Sequence, residues 1–213
     1  GSHNDTGTAW LARVSPSGIK LGETAYGATG QILRFYGVIE LPDGRLLLSG
    51  WRQVNSSTPA DALVIVASAV GTQLTFKTFG GAGSDVFGRL VRQADGFVAL
   101  GYTGSKGAGA ADLWLVRLNA ALNVEWDRTF GGTKDEGTSS TDTGYLHGLD
   151  VLPDGGLVLA AGTLSFGAGG TDAWLVRTDA WGNAPCSASG GCAGKAVIGC
   201  DDGNACTTDV CSA

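Results

Sequence analysis

DAWLVRTDAWGN, residues 172–183, is a short apolar run closed by Thr178 and Asp179 and then by Gly182-Asn183. Nearly the same line stands at residues 112–123 (DLWLVRLNAALN), and a looser copy at 8–19 (TAWLARVSPSGI). Side chains alternate along a strand, so Ala173, Leu175 and Arg177 face one way and Asp172, Trp174 and Val176 the other. Most of these positions are apolar on both faces, as a sheet lying between two other sheets requires. One such sheet cannot cover both its faces, so the line has to recur.

The recurrence keeps phase. Trp10, Leu63, Trp114 and Trp174 follow one another at 53, 51 and 60 residues. The turn Pro42-Asp43-Gly44 returns as Ala94-Asp95-Gly96 and Pro153-Asp154-Gly155, and Gly50-Trp51 returns as Gly101-Tyr102 and Gly162-Thr163. Tyr26-Gly27 returns as Phe79-Gly80-Gly81 and Phe130-Gly131-Gly132. Each full unit holds four strand-like runs, which in one of them are 87–93, 97–101, 112–118 and 124–130. Asp95-Gly96 is expected to close the first hairpin, since both residues tolerate positive φ. Four antiparallel strands in about 50 residues make a propeller blade. Solenoid coils are shorter than this, and stacked sandwiches have no reason to keep phase. The sequence therefore predicts an all-β, propeller-like array of three to four blades, at about 8–27, 28–81, 82–132 and 133–184. Trp10, Trp114 and Trp174 are expected to pack between blades, with sugar stacking as the rival role for a Trp near a rim.

Composition agrees. The 213 residues include 36 Gly and no Met, with no sustained helical spacing of apolar residues. A net charge of −6 argues against nucleic acid, which requires clustered Lys and Arg. No apolar run is long enough to span a bilayer as a helix. Gly1-Ser2-His3 reads as a tag remnant within a leader of residues 1–7, so a mature or excised segment is expected.

The stretch GLDVLPDGGLVLAAGTLSFGAGGTDAWLVRTDAWGN (148–183) resembles tandem repeats of secreted bacterial proteins, including the delta-sixty type. Those repeats carry a Pro-Asp-Gly turn, an apolar strand ending in Ala-Gly, a strand of the WLVRL kind, and then W..tfGG. The hairpin around Trp126 and Gly131 is similar to quinoprotein-type repeats, in which a Trp docks each blade on the next. The resemblance covers about residues 8–183 and implies a β-propeller, with no assigned activity. The first unit departs from it: Leu21 stands in place of the Trp, and Gly27 stands alone.

The ends are out of register with the repeat. The chain opens on a third strand and an outer strand and closes on a third strand, leaving a half blade at residues 9–26. An open edge pairs readily, so completion by another copy, a homo-oligomer, is expected, with a piece of a longer, truncated array or strands supplied by the tail as the alternatives. Residues 185–213 differ in kind and hold all five cysteines, Cys186, Cys192, Cys200, Cys206 and Cys211. Cysteines confined to a short Gly-rich tail imply an oxidising compartment and disulfides. CDDGNACTTDVC (200–211) resembles Cys-rich modules of secreted myxobacterial proteins. Asp201, Asp202, Asn204 and Asp209 are oxygen donors that a calcium ion would want, though Asp-Gly-Asn also serves a tight turn.

Chemistry is expected on two sets of propeller loops, 28–34, 81–88 and 133–147, and 53–60, 104–111 and 165–171. The 133–147 loop is the longest and gathers Lys134, Asp135, Glu136, Asp142, Tyr145 and His147, the candidate ligand-binding group. A carboxylate pair beside a His suits acid–base work, and a solvated loop is the plainer reading. No nucleophile elbow, phosphate loop, zinc signature or dinucleotide fingerprint occurs, and no organic cofactor is expected. The Gly-rich runs SKGAGA and SFGAGG precede strands, so they lack the helix N-terminus that cradles phosphate. The expectation is a secreted or cell-surface, non-catalytic module that binds protein or glycan. The rivals are a glycosidase or lyase using the 133–147 loop, and a structural spacer of a larger surface protein.

Overall fold

The computed structural model describes residues 8–93, 95–137 and 148–184. The expected tail disulfides and the calcium group Asp201, Asp202, Asn204 and Asp209 lie outside the described residues, as do Asp142, Tyr145 and His147. The described chain is all-β: thirteen strands and no helix. They are β1 (Ala9–Val14), β2 (Lys20–Tyr26), β3 (Ile32–Glu40), β4 (Leu46–Gln53), β5 (Asp61–Ala67), β6 (Gln73–Phe79), β7 (Asp85–Gln93), β8 (Gly96–Thr103), β9 (Asp112–Asn119), β10 (Val124–Phe130), β11 (Gly148–Val151), β12 (Leu157–Thr163) and β13 (Asp172–Thr178). Four antiparallel sheets result: β1-β2, β3-β4-β5-β6, β7-β8-β9-β10 and β11-β12-β13. The expected four-stranded meander is thus complete twice.

Contacts divide the chain into two compact units, residues 1–87 and 88–213, with the boundary inside β7. In the first unit, Ala9 and Tyr26 of the two-stranded sheet join Leu33, Leu48, Leu63, Ile65 and Ala67 of the four-stranded one in a single core, and Leu11 packs against it. In the second unit, Val98, Leu100, Leu113, Leu115 and Phe130 join Leu149, Leu157, Leu159, Trp174 and Val176. Both cores use the same pair of repeat faces. The Leu63/Ile65 face of β5 corresponds to the Trp174/Val176 face of β13, and Ala9/Leu11 corresponds to Leu113/Leu115.

Trp174 is therefore buried between sheets as expected, at 4% exposure, and Trp114 is buried at 2%. The Trp114 indole N–H donates to Asp127 Oδ2 at 2.9 Å, and Lys106 pairs with the same carboxylate. Burial pushes the Asp127 carboxyl up, but the hydrogen bonds from Lys106 and Trp114 prevail and hold it below its ordinary value. Trp10 departs from the expectation. It is only half-buried and donates to Glu23, because its face of β1 is the one turned away from the first unit's core.

Six turns share one hydrogen-bond pattern, and five of them close hairpins. In the turn 179–183, Gly182 N donates to Asp179 O and Asp179 N donates to Asn183 O. The same pair of bonds closes 15–19, 41–45, 68–72, 119–123 and 152–156. The fourth residue of each has positive φ: Gly18, Gly44, Gly71, Leu122, Gly155 and Gly182. This left-handed position explains the Gly182 of the repeated line. Gly96 differs from the expectation, since it lies inside β8 opposite Asn119. A Cβ there would sit 2.2 Å from the Leu118 carbonyl, so close approach and not φ requires the glycine. One landmark also slips: Gly101 pairs with Trp114 but Ala161 pairs with Trp174, so Thr163 corresponds to Thr103 and not to Tyr102.

Candidate functional site

The polar loop expected to carry chemistry begins as a structural clasp. After β10 the chain turns at Gly131-Gly132 and lays residues 135–137 against the end of β12. Leu164 N donates to Asp135 O, Gly137 N to Gly162 O, and Glu136 N to Ala111 O at 2.7 Å. Glu136 is fully buried. Its carboxylate accepts from Gly132 N (2.9 Å), Thr163 Oγ1 (3.0 Å) and Ser165 N (3.1 Å). This side chain ties the β10 crossover to the β12 end, and it faces no solvent. Lys134 is exposed and Asp135 half-buried, so these two are the candidate loop residues that the described chain places within a ligand's reach.

The first unit repeats the device. Asp85 is fully buried, accepts from Gly81 N at 2.8 Å, and its own N–H donates to Ala60 O at 2.7 Å. The sequence signal is FGGAGSD at 79–85 against FGGTKDE at 130–136, an acid five residues after the first glycine of the pair. A Cβ on Gly80 would lie 2.2 Å from the Asp85 carboxylate. One on Gly131 would lie 2.0 Å from Asp112 Oδ1 and 2.4 Å from Glu136 Oε2.

The two Gly-rich runs before third strands solve a related problem. Gly109 N donates to Asp112 Oδ2 and Ala168 N to Asp172 Oδ2, each at 3.1 Å. Gly107 and Gly167, at φ +97° and +108°, pass within a Cβ's clearance of those same carboxylates. The anion these loops curl around is the chain's own aspartate. Backbone N–H groups satisfy the buried carboxylate of Asp112, which would otherwise be costly to desolvate, and that of the half-buried Asp172.

A second polar and aromatic constellation lies at the opposite, hairpin-turn end of the second unit. A cleft of about 810 Å³ is lined by Gln93, Arg117, Glu125, Trp126, Pro153 and Trp181, among others. Arg117 forms its floor, only 7% exposed. Its guanidinium donates to Glu125 Oε2 (3.1 Å), Asp95 Oδ1 (2.9 Å) and Gln93 O (2.6 Å), so it is fixed in place. Gln93 is held in turn by a 2.7 Å bond to Gly155 O. Trp181 stands at the edge with 67% of its surface exposed. The loop-based expectation missed this cleft because it is assembled from hairpin turns, and the exposed Trp181 in the 179–183 turn was its one visible signal.

Trp126 sets the cleft wall. It packs over the turn after β13 so closely that a Cβ on Gly182 would lie 2.7 Å from its Cζ3. Arg128 sits 5.5 Å over the same ring and donates to Asn183 Oδ1 at 3.3 Å. A tryptophan of an outer strand thus docks on a glycine turn of the next sheet. Gly182→Ala combines a left-handed φ of +78° with this contact, so a loss above about 2 kcal/mol is expected. Urea denaturation checks it, and an unchanged midpoint would place Trp126 off the turn.

The first unit holds a smaller cavity of about 510 Å³ beside Tyr26, Leu33, Arg52 and Phe76. The Tyr26 hydroxyl there donates to Gly71 O, and burial raises its pKa above the ordinary 10.0. Among the described residues no group of three or more His, Cys, Asp or Glu could hold a metal ion, and no helix is long and apolar enough to cross a membrane.

No protein-family model matches the chain, and no curated protein matches it. Among solved structures, the chain is similar to a protein of unknown function from Bacteroides caccae. That pair shares 14% identity with a TM-score of 0.31, over 79% of this chain and 70% of the other. A likeness of that degree carries no argument about fold or activity.

Proposed function

We propose that this chain is a secreted or cell-surface binding module that takes a glycan in the cleft of its second unit and performs no catalysis. On this reading the sheets are blades of a propeller-type array, related to the tandem repeats of secreted bacterial proteins and followed by a disulfide-bonded tail. The observation that supports it is the pairing of an exposed Trp181 with a rigid polar floor of Arg117, Gln93 and Glu125. Sugars are recognised in this way, with an aromatic face against the ring's C–H groups and planar polar groups against its hydroxyls. The glycosidase or lyase reading is weaker, because Glu136 is already committed to three donors inside the fold. A glycan array tests the proposal. Binding to a defined glycan class is expected, reduced at least tenfold in Trp181→Ala with folding intact. A protein ligand captured through the same cleft would replace glycan as the partner, and silence on both would leave the spacer.

A further inference from the structure

Among the described residues, each kind of sheet face that packs inside a unit is also found exposed in whole or in part, one on β12–β13 and the other on β1. Within the second unit, Leu113 and Leu115 of β9 and Val98 and Leu100 of β8 are fully buried in the core they share with Trp174 and Val176. The corresponding positions one repeat later are Ala173 and Leu175 of β13 and Val158 and Ala160 of β12. Leu175 is 59% exposed, where Leu115 is 0%. The Arg177 side chain is 59% exposed, where that of Arg117 is 8%. Ala160 pairs with Leu175 and Gly162 with Ala173, so this open face is a shallow apolar socket of small residues around one leucine.

The opposite kind of face is partly exposed on β1. Trp10, Ala12 and Val14 hold the repeat positions of Trp174, Val176 and Thr178. Trp10 and Ala12 are half-buried and Val14 is 61% exposed, while Ala9 and Leu11 on the other side are in the first unit's core. Twice, within separate units, this chain covers an Ala/Leu face with the large-residue face of a following sheet. That repetition identifies what covers the exposed face of β13.

We propose that the β12–β13 face of one molecule docks the β1–β2 sheet of a second copy, with Trp10 seated over Ala160, Ala173 and Leu175. The contact is heterologous: each copy offers one face of each kind, so association runs head to tail and either closes into a ring or extends. The glycan reading is independent of it, since the cleft does not use this face of β13.

The test uses the full chain in reductant, so that bridges between tails play no part. Sedimentation velocity of the wild type should show concentration-dependent species larger than a monomer. Leu175→Glu and Trp10→Glu alter exposed or half-exposed positions, and each variant should be monomeric with an unchanged circular dichroism spectrum. Mixed one to one, the two variants keep one intact face each and should form a dimer and nothing larger. Three outcomes would overturn the proposal: a strictly monomeric wild type at high micromolar concentration, a variant that still self-associates alone, or a mixture that stays monomeric. Should either variant misfold, Leu175→Ser and Trp10→Ser repeat the mixing test with smaller side chains.

Discussion

Replacing Trp174 by alanine is expected to cost about 3 to 5 kcal/mol, the range for large-to-small changes at fully enclosed aromatic sites. The indole is 4% exposed and sits in the core that joins β7–β10 to β11–β13, beside Leu113, Leu115, Leu157 and Val176. Phe166 packs against it at a tilt of 46° with ring centroids 5.3 Å apart, so the cavity left behind would be lined by side chains held on two sheets that cannot collapse freely. Its sequence neighbour supplies the control. Leu175 points to the opposite face at 59% exposure, and at concentrations where the chain is monomeric Leu175→Ala should change stability by less than about 0.5 kcal/mol. Equal losses at the two positions would mean that the sheet is buried on both faces or on neither.

Glu136→Ala is expected to cost about 3 kcal/mol or more, by a different mechanism. The substitution removes little apolar contact but strips the acceptor from Gly132 N–H and the Thr163 hydroxyl, and leaves Ser165 N–H with Thr163 Oγ1 alone. Thr163 is itself 2% exposed, so water reaches it poorly, and an unsatisfied buried donor costs about 1 to 3 kcal/mol. Glu136→Gln keeps one oxygen for the Thr163–Ser165 pair and should fall between wild type and Ala. Thermal denaturation of the three proteins reads this order. Were Glu136 a ligand-facing acid and not a clasp, the Ala variant would be as stable as the wild type.

The fold was legible because its determinants are local and repeated. Alternation in the 172–178 run announced a strand apolar on both faces, and burial of Trp174, Val176 and Thr178 follows that alternation residue by residue. The other face of that run does not follow: apolar on both sides, it reads as covered on both, yet Leu175 is 59% exposed. Trp10 holds the repeat position of Trp174, but its face of β1 is turned away from the first unit's core, so it is half-buried and donates to Glu23. The site was less legible. A carboxylate looks the same in sequence whether it faces water or three N–H and O–H donors, and only the crossover geometry distinguishes Glu136 from Asp135. The Gly-rich runs read only as lacking a phosphate cradle, and the anions they meet are the chain's own Asp112 and Asp172, five residues downstream of Gly107 and Gly167. The cleft required knowing that the Asp95, Pro153 and Trp181 turns lie at one end of adjacent sheets, which no local pattern states.

The central claim is that repeat sheets pack through one conserved pair of faces, the Leu side of one on the Trp side of the next. A double-mutant cycle on stability tests it most directly. Leu115→Ala and Trp174→Ala should be coupled by about 1 kcal/mol or more, as expected for residues that share one core. Leu175→Ala and Trp174→Ala, adjacent in sequence but on opposite faces, should be additive within about 0.5 kcal/mol. Additivity between Leu115 and Trp174, with coupling between Leu175 and Trp174, would contradict the packing described here.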